Sequence, residues 1–289
     1  MSIDTPFDRA LRRLRRDRAQ PRFASADYLH RLAADELLDR LDLVKRDFRD
    51  VLDLGCGGGY LTGQLRARGM TVTPLDAGAR FAEAAGGICA DEDKLAFPPE
   101  SFDLVMSVGV LDSVNDLPGA LTLIRRALRP DGLFLAAFAG ARSLPALRAA
   151  MMAADESAGA AAPHIHPQID LRAAGDLLTR AGFALPVADS AAVPVRFPHL
   201  MGLVSDLRAM GATNVLANRP RRPVLKAGLL AALSRFSELA DPDGKTGETF
   251  EIIYLSGWAP APDQPQPAPR GSGRVSLADA LKGAVPGRP

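Results

Sequence analysis

The chain has 289 residues, 47% of them hydrophobic, so it can bury a sizeable core in one large domain or two small ones. Its 35 basic and 34 acidic residues nearly cancel, which argues against a nucleic-acid-binding protein. Two cysteines, Cys56 and Cys89, are too few for a disulfide framework or a zinc site, and they favour a reducing compartment. No apolar run approaches the roughly 20 residues that a membrane span needs. We therefore expect a cytoplasmic globular protein.

The N-terminus is crowded with arginines. The recurrence of Phe7, Leu11 and Leu14 predicts a lead helix with an apolar stripe. A mitochondrial presequence is the alternative, but acidic residues interrupt the segment. A second helix is predicted over residues 26–46, so residues 1–46 form a helical lead. A peripheral membrane contact through the basic segment is a further expectation. Its arginines are Arg9, Arg12, Arg13, Arg15, Arg16 and Arg18.

Strand and helix signals alternate through the next part of the chain, residues 47–197. Such alternation predicts a parallel, doubly wound α/β sheet with helices on both faces. A Pro-Asp-Gly turn is predicted at residues 130–132. The first five predicted strands are residues 51–54, 71–76, 87–90, 102–110 and 133–138, and the helices between them are residues 61–68, 80–84 and 118–128.

The pattern loosens after Ala139. Helices are predicted over residues 144–158 and 170–181, and a sixth strand over 183–195. Two or three helices then fill residues 198–247, ahead of a last strand within residues 248–258. We interpret them as a lid inserted between the last two of seven strands. Residues 259–289 are a proline-rich tail.

The most informative segment is VLDLGCGGGY, residues 51–60. A short apolar run ends in Asp53 and turns at glycines into a helix, where the backbone approaches a ligand closely and N–H groups are free. A dinucleotide fingerprint would need glycine at position 60, where this chain has Tyr60. The order D-x-G-x-G-x-G points instead to S-adenosylmethionine (SAM), whose ammonium group suits a carboxylate environment.

Three acids reinforce this interpretation. Asp53, Asp76 and Asp91 follow successive strands, and the carboxyl ends of such strands meet at one crevice. Asp76 lies 23 residues after Asp53, near the spacing for an acid that holds ribose hydroxyls. Asp91 suits the adenine amino group, and the fourth strand is expected to form the crevice floor. The predicted cofactor-binding residues are Asp53, Gly55, Cys56, Gly57, Gly59, Asp76, Ala77, Asp91, Glu92 and Ser107.

The histidine pair in PHIHPQID, His164 and His166, suggests a metal site with Asp170 as a third ligand. The segment is a proline-bracketed loop, so we prefer hydrogen-bonded loop histidines and predict no metal. Cys56 has no histidine partner in the pattern, and we interpret it as a small turn residue rather than a nucleophile.

Three segments of the chain resemble class I SAM-dependent methyltransferases. They are LDLGCGGGYLT, FDLVMSVGV and LRPDGLFLAAF. A narrower resemblance, over nearly the whole chain, is to bacterial relatives of the mitochondrial complex I assembly factor with a methyltransferase fold. It is carried by FDRALRRLRRDRA, VNDLPGAL, APHIHPQID, DLRAMGATNVLANR, FEIIYLSGW and RGSGRVSLADAL. This family implies SAM as cofactor and hydroxylation of an arginine on a complex I subunit, in the bacterial cytoplasm or the mitochondrial matrix.

The resemblance leaves the reaction open. The family pattern LHWVNDLP is LDSVNDLP here, so Asp112 and Ser113 replace a histidine and a tryptophan. No catalytic motif carries over, and Asp112 and His164 are the candidates. The acceptor is a complex I subunit or a small molecule. The alternatives are a carrier-protein (malonyl) carboxyl methyltransferase of biotin synthesis and a non-catalytic SAM-binding assembly factor, in which Arg219, Arg221 and Arg222 form a docking surface.

Overall fold

The computed structural model describes residues 5–264 and contains one seven-stranded sheet. The strand order is β3-β2-β1-β4-β5-β7-β6, with the switch point between β1 and β4. The predicted seven-stranded α/β fold is confirmed. The strands are β1 (Asp50–Leu54), β2 (Thr71–Asp76), β3 (Ile88–Cys89), β4 (Phe102–Val108), β5 (Leu128–Ala139), β6 (Ala184–Phe197) and β7 (Thr246–Trp258).

Nine α-helices surround the sheet in the described part of the chain. Alternation along the strands separates two cores, since Val51 faces one and Leu52 and Leu54 face the other. The helices are α1 (Arg9–Phe23), α2 (Tyr28–Asp42), α3 (Tyr60–Ala67), α4 (Ala79–Ala85), α5 (Leu117–Ala127), α6 (Pro145–Ala158), α7 (Leu171–Arg180), α8 (Leu200–Ala209) and α9 (Lys226–Glu238).

The sheet corrects two details of the sequence prediction. It is mixed, because β7 runs antiparallel to both β5 and β6. Periodicity reports burial rather than strand direction, so the pattern could not reveal this reversal. The predicted turn at residues 130–132 lies inside β5, where Asp131 has a φ of 60° and the pairing with β4 shifts register. Pro-Asp-Gly is therefore an irregularity within a long strand.

Helix α1 also differs from expectation. Leu14, which we placed on the apolar stripe, is 43% exposed, whereas Arg12 and Arg16 are buried. In α2, Leu32 is likewise exposed, whereas Leu29, Leu37, Leu38 and Leu41 are buried. Arginine on the buried face of α1 requires acidic partners, because an unpaired buried charge is costly.

The helical insertion between the last two strands is present as α8 and α9. Its apolar residues pack with α6 and with Leu29 of α2 in a third core, which includes Leu203 and Phe236. The insertion therefore lies over one end of the sheet. No helix among residues 5–264 is long and apolar enough to cross a membrane. Residues 265–289, including the segment RGSGRVSLADAL, lie outside the described residues.

Candidate functional site

The glycine turn after β1 has the backbone that only glycine adopts readily. Gly55, Gly57 and Gly59 have φ values of 85°, 49° and 78°. The amides of Gly55 and Cys56 both donate to the Leu75 carbonyl of β2, and Gly59 begins α3. A Cβ atom on Gly57 would lie 3.4 Å from the Phe23 ring, so the end of α1 covers the turn.

Several predicted residues hold this turn together from inside. Asp53 is 1% exposed and accepts a hydrogen bond from Thr62 Oγ1 at 2.5 Å. Burial raises the pKa of Asp53 to about 7, although the bond from Thr62 opposes the shift. Ser107 Oγ donates to the Leu54 carbonyl at 2.8 Å, which joins β4 to β1.

Cys56 and Ala77 are buried beside them. Burial raises the pKa of the Cys56 thiol, and the charges of Asp76 and Asp53 add to the effect. The thiol is therefore protonated, which agrees with its interpretation as a turn residue.

Asp76, at the end of β2, is the most heavily bonded carboxylate of the crevice. Arg16 donates to its two oxygens at 2.7 and 2.5 Å, and the amides of Gly78 and Gly57 donate at 2.7 and 3.0 Å. Burial opposes its charge, but Arg16 and the backbone amides hold the pKa of Asp76 below its usual value. Four donors fill the acceptor positions of one carboxylate.

Two further acids after β3 are paired in the same way. Asp91 accepts from Arg13 at 3.1 and 2.7 Å, and Arg9 approaches it at 3.1 Å. Glu92, 1% exposed, accepts from both Arg12 nitrogens at 2.7 and 2.9 Å.

One face of α1 thus neutralises three of the four predicted cofactor acids, Asp76, Asp91 and Glu92. We did not predict this from the sequence, although arginines at positions 9, 12, 13 and 16 share one face at helical spacing. These four arginines pair with acids of the crevice, so the expected membrane contact stays a prediction for the other arginines of the helix.

A cavity of about 300 Å³ lies next to this crevice, at the carboxyl ends of β4 and β5. It is mainly apolar, and the lid forms part of its wall. None of the ten predicted cofactor-binding residues lines it, whereas both catalytic candidates, Asp112 and His164, do. Polar groups from α1 and α2 also reach it through Arg12, Arg16 and His30. The lid contributes Leu207 and residues 210–215.

Asp112 and His30 give the cavity its chemical character. The Asp112 side chain makes no hydrogen bond to any other residue in the range 5–264. Burial raises its pKa to about 6, although the charge of Arg12 and the backbone amide of Asp112 itself oppose the shift. His30 Nδ1 is buried and has no partner within the same range. Burial and the charge of Arg16 lower the pKa of His30 to about 4, so the ring is neutral at physiological pH. Unpaired polar atoms beside an apolar cavity are suited to bind a ligand.

The two loop histidines are held separately. His164 Nε2 lies 2.7 Å from Asp155 Oδ1, and His166 Nε2 accepts from the Val215 amide at 3.0 Å. Burial, with the charges of Arg12 and Arg15, lowers the pKa of His166 to about 4. Residues 5–264 contain no group of three or more histidine, cysteine or acidic side chains that could hold a metal ion.

The strand order, the glycine turn and the acids at the strand ends define a class I SAM-dependent methyltransferase fold. A known family described as "Methyltransferase domain" matches residues 52–136. Among solved structures, the YcgJ protein of Bacillus subtilis superimposes with a TM-score of 0.55 at 14% identity, over 80% of this chain and all (100%) of that one. At this identity the likeness supports the fold alone.

Curated relatives extend the match over the whole fold. The mitochondrial arginine-hydroxylase NDUFAF5 of Danio rerio is 35% identical over 288 residues, covering 96% of this chain and 89% of that protein. A malonyl-[acyl-carrier protein] O-methyltransferase of Laribacter hongkongensis is 33% identical over 265 residues, which cover 85% of this chain and 87% of that protein. The chain belongs to the methyltransferase-fold family that contains these proteins, and it is a SAM-dependent enzyme.

The residues present fit SAM. Gly57 itself carries no side chain, although the Phe23 ring lies against the turn, and the carboxylate of Asp76 accepts from its amide. The hydrogen bonds of Asp76 add a condition, because its acceptor positions are already filled. Arg16 must release at least one of them before Asp76 can accept from ribose hydroxyls.

Proposed function

We propose that this protein uses SAM to modify a side chain of a protein subunit during the assembly of respiratory complex I. The observation that carries the proposal is the cavity under the lid, which joins the carboxyl ends of β4 and β5 to residues 210–215. Its volume, about 300 Å³, suits one side chain or a small molecule. The similarity to NDUFAF5, which is an arginine-hydroxylase by name, includes this lid and supports the proposal. The proposed compartment is the bacterial cytoplasm, or the mitochondrial matrix in a eukaryote.

Each group of residues has a part in this proposal. When bound, SAM supplies a methyl group on a positively charged sulfur. Asp76 would hold the ribose and Asp91 the adenine, once the arginines of α1 release them. The glycine turn would lie against the amino-acid portion, with Asp53 stabilising the turn from below. The apolar walls exclude water and align the acceptor.

Asp112 is the proposed proton acceptor for the incoming side chain. Its carboxylate lines the cavity and is unpaired within residues 5–264. With a pKa of about 6, it is ionised at neutral pH and basic enough to take a proton. His164, which also lines the cavity and is held by Asp155, is the second candidate.

Carboxyl methylation of a carrier protein is the second candidate function. It is supported by the 33% identity to the malonyl-[acyl-carrier protein] O-methyltransferase. Asp112 disfavours it, because an ionised carboxylate in the cavity repels a free carboxylate acceptor. Arg12 and Arg16, which could attract one, are committed to Glu92 and Asp76.

Deletion of the gene tests the proposal. We expect one complex I subunit, measured by intact mass, to lose about 14 Da, because the methyl group that SAM supplies replaces a hydrogen atom. A loss of about 16 Da would instead indicate hydroxylation, which needs O2 and two electrons from a co-reactant in addition to SAM. Restoring the wild-type gene should restore the mass. Unchanged masses, with assembly rescued by an Asp76→Ala form, would identify a non-catalytic assembly factor instead. Unchanged masses with loss of biotin synthesis would support the carrier-protein reaction.

A further inference from the structure

A second set of arginines lies on the outer side of α1, away from the crevice. We define the arginine cluster as Arg15 and Arg18 on α1, Arg208 on α8, and Arg219 in the loop between α8 and α9. Arg18 and Arg208 are exposed, and Arg15 and Arg219 are half-buried. Helices α1 and α8 contact each other, so the cluster spans the lead and the lid.

The cluster has little negative charge to balance it. Burial lowers the pKa of Arg15, and the charges of Arg219, Arg18 and Arg208 lower it further. Arg219 approaches Asp8 at 3.3 Å, but Asp8 also caps α1 by accepting from the Leu11 amide. Arg15, Arg18 and Arg208 form no ion pair with any residue between 5 and 264. Like charges gathered at this density are unfavourable unless an anion neutralises them.

The cluster lies next to the cavity wall. Gly211, which lines the cavity, packs against Ala19 and Arg16 of α1, and a Cβ on Gly211 would lie 3.3 Å from the Ala19 methyl. His166, which also lines the cavity, is close enough to Arg15 for that charge to lower its pKa. A macromolecule bound to the cluster would therefore lie beside the wall of the cavity.

We propose that the arginine cluster is the docking surface for an acidic region of the protein substrate, next to the residue that is modified. This inference rests on the proposed function. A protein surface rather than a small anion fits the dimensions, because the charges come from two helices and a loop and three of them have no acid partner among residues 5–264. Arginine is suited to this role, because its guanidinium donates to carboxylates in pairs.

The test compares two double charge reversals. The cluster variant is Arg18→Glu/Arg208→Glu, which changes exposed residues only. The control is Arg172→Glu/Arg180→Glu on α7, where both residues are also exposed. Each purified protein is titrated with a fluorescent oligoglutamate peptide, with inorganic phosphate and with SAM. Each variant is also expressed in the deletion strain for intact-mass analysis of complex I subunits.

We expect the cluster variant to lose at least about tenfold in peptide affinity and in the modified fraction, because each reversed charge acts on association. Its SAM affinity and melting temperature should match those of the control. The proposal is overturned if the two variants behave alike, or if the cluster binds phosphate while peptide binding is unchanged. If the wild type binds the peptide through the cluster but no subunit changes mass, the docking surface stands and the proposed function fails.

Discussion

Asp112 lies just beyond β4, in a short 3-10 turn (Leu111–Ser113) that places its carboxylate against the cavity. Its neighbour Ser113, which also lines the cavity, accepts from Arg12 Nε at 3.0 Å. The charges of Arg12 and Arg16 favour the ionised form of Asp112, and that of Glu92 opposes it, while burial has the largest effect.

Replacing Asp112 by asparagine tests its role as a base. We expect kcat/KM for subunit modification to fall by about a hundredfold or more. In the wild type, kcat/KM should rise as the pH rises through about 6, because Asp112 loses its proton there. In Asp112→Asn this rise should be absent, and SAM affinity should be unchanged. The control is Asp176→Asn, which changes an exposed residue of α7. A pH profile that is the same in Asp112→Asn as in the wild type would contradict the assignment.

At the scale of elements, α1 joins the N-terminal lead to the sheet through ion pairs. Arg12 and Glu92 have side-chain exposures of 8% and 1%, so their charges are shielded from water. Arg13 is 49% exposed although it contacts the buried Asp91. Breaking a buried pair leaves an uncompensated charge, whereas an exposed partner is partly replaced by solvent.

We therefore predict that Arg12→Ala lowers the free energy of unfolding of the SAM-free protein by about 3–5 kcal/mol. Arg13→Ala, on the same helix, should lower the free energy of unfolding by clearly less. Urea denaturation monitored by circular dichroism measures both values. Equal losses for the two variants would show that α1 is not held by the buried pair.

Across the whole molecule, the strands and helices of the core could be predicted because their signals are local. The segment at 71–76 is a strand with the predicted bounds, and the glycine turn has the expected left-handed backbone. Asp112 and His164 were predicted as catalytic candidates, and both reach the cavity. The strand and the turn follow from burial periodicity and from the conformational freedom of glycine. The two candidates came instead from the segments LDSVNDLP and PHIHPQID, and their catalytic role stays a prediction.

Features that depend on distant parts of the chain could not be predicted. The reversal of β7 is set by its pairing with β5, more than a hundred residues earlier in the chain. The arginines of α1 are buried because acids from β2 and from the loop after β3 meet them, and a sequence pattern shows only one partner of each pair. The cavity itself exists only where the lid packs on α6. Contacts between distant parts of the chain therefore determine the strand direction, the ion pairs and the cavity, which the local sequence pattern does not show.

The most direct test of the account is calorimetric titration of the purified protein with SAM. We predict binding at micromolar SAM for the wild type and for Asp103→Ala, which lies at the opposite end of β4. Asp76→Ala and the shape-preserving Asp76→Asn should weaken binding by at least about tenfold, the effect of losing a charged hydrogen-bond acceptor. Melting curves establish that each variant is folded. No binding by the wild type, or equal binding by folded Asp76 variants, would contradict the assignment of this crevice to SAM.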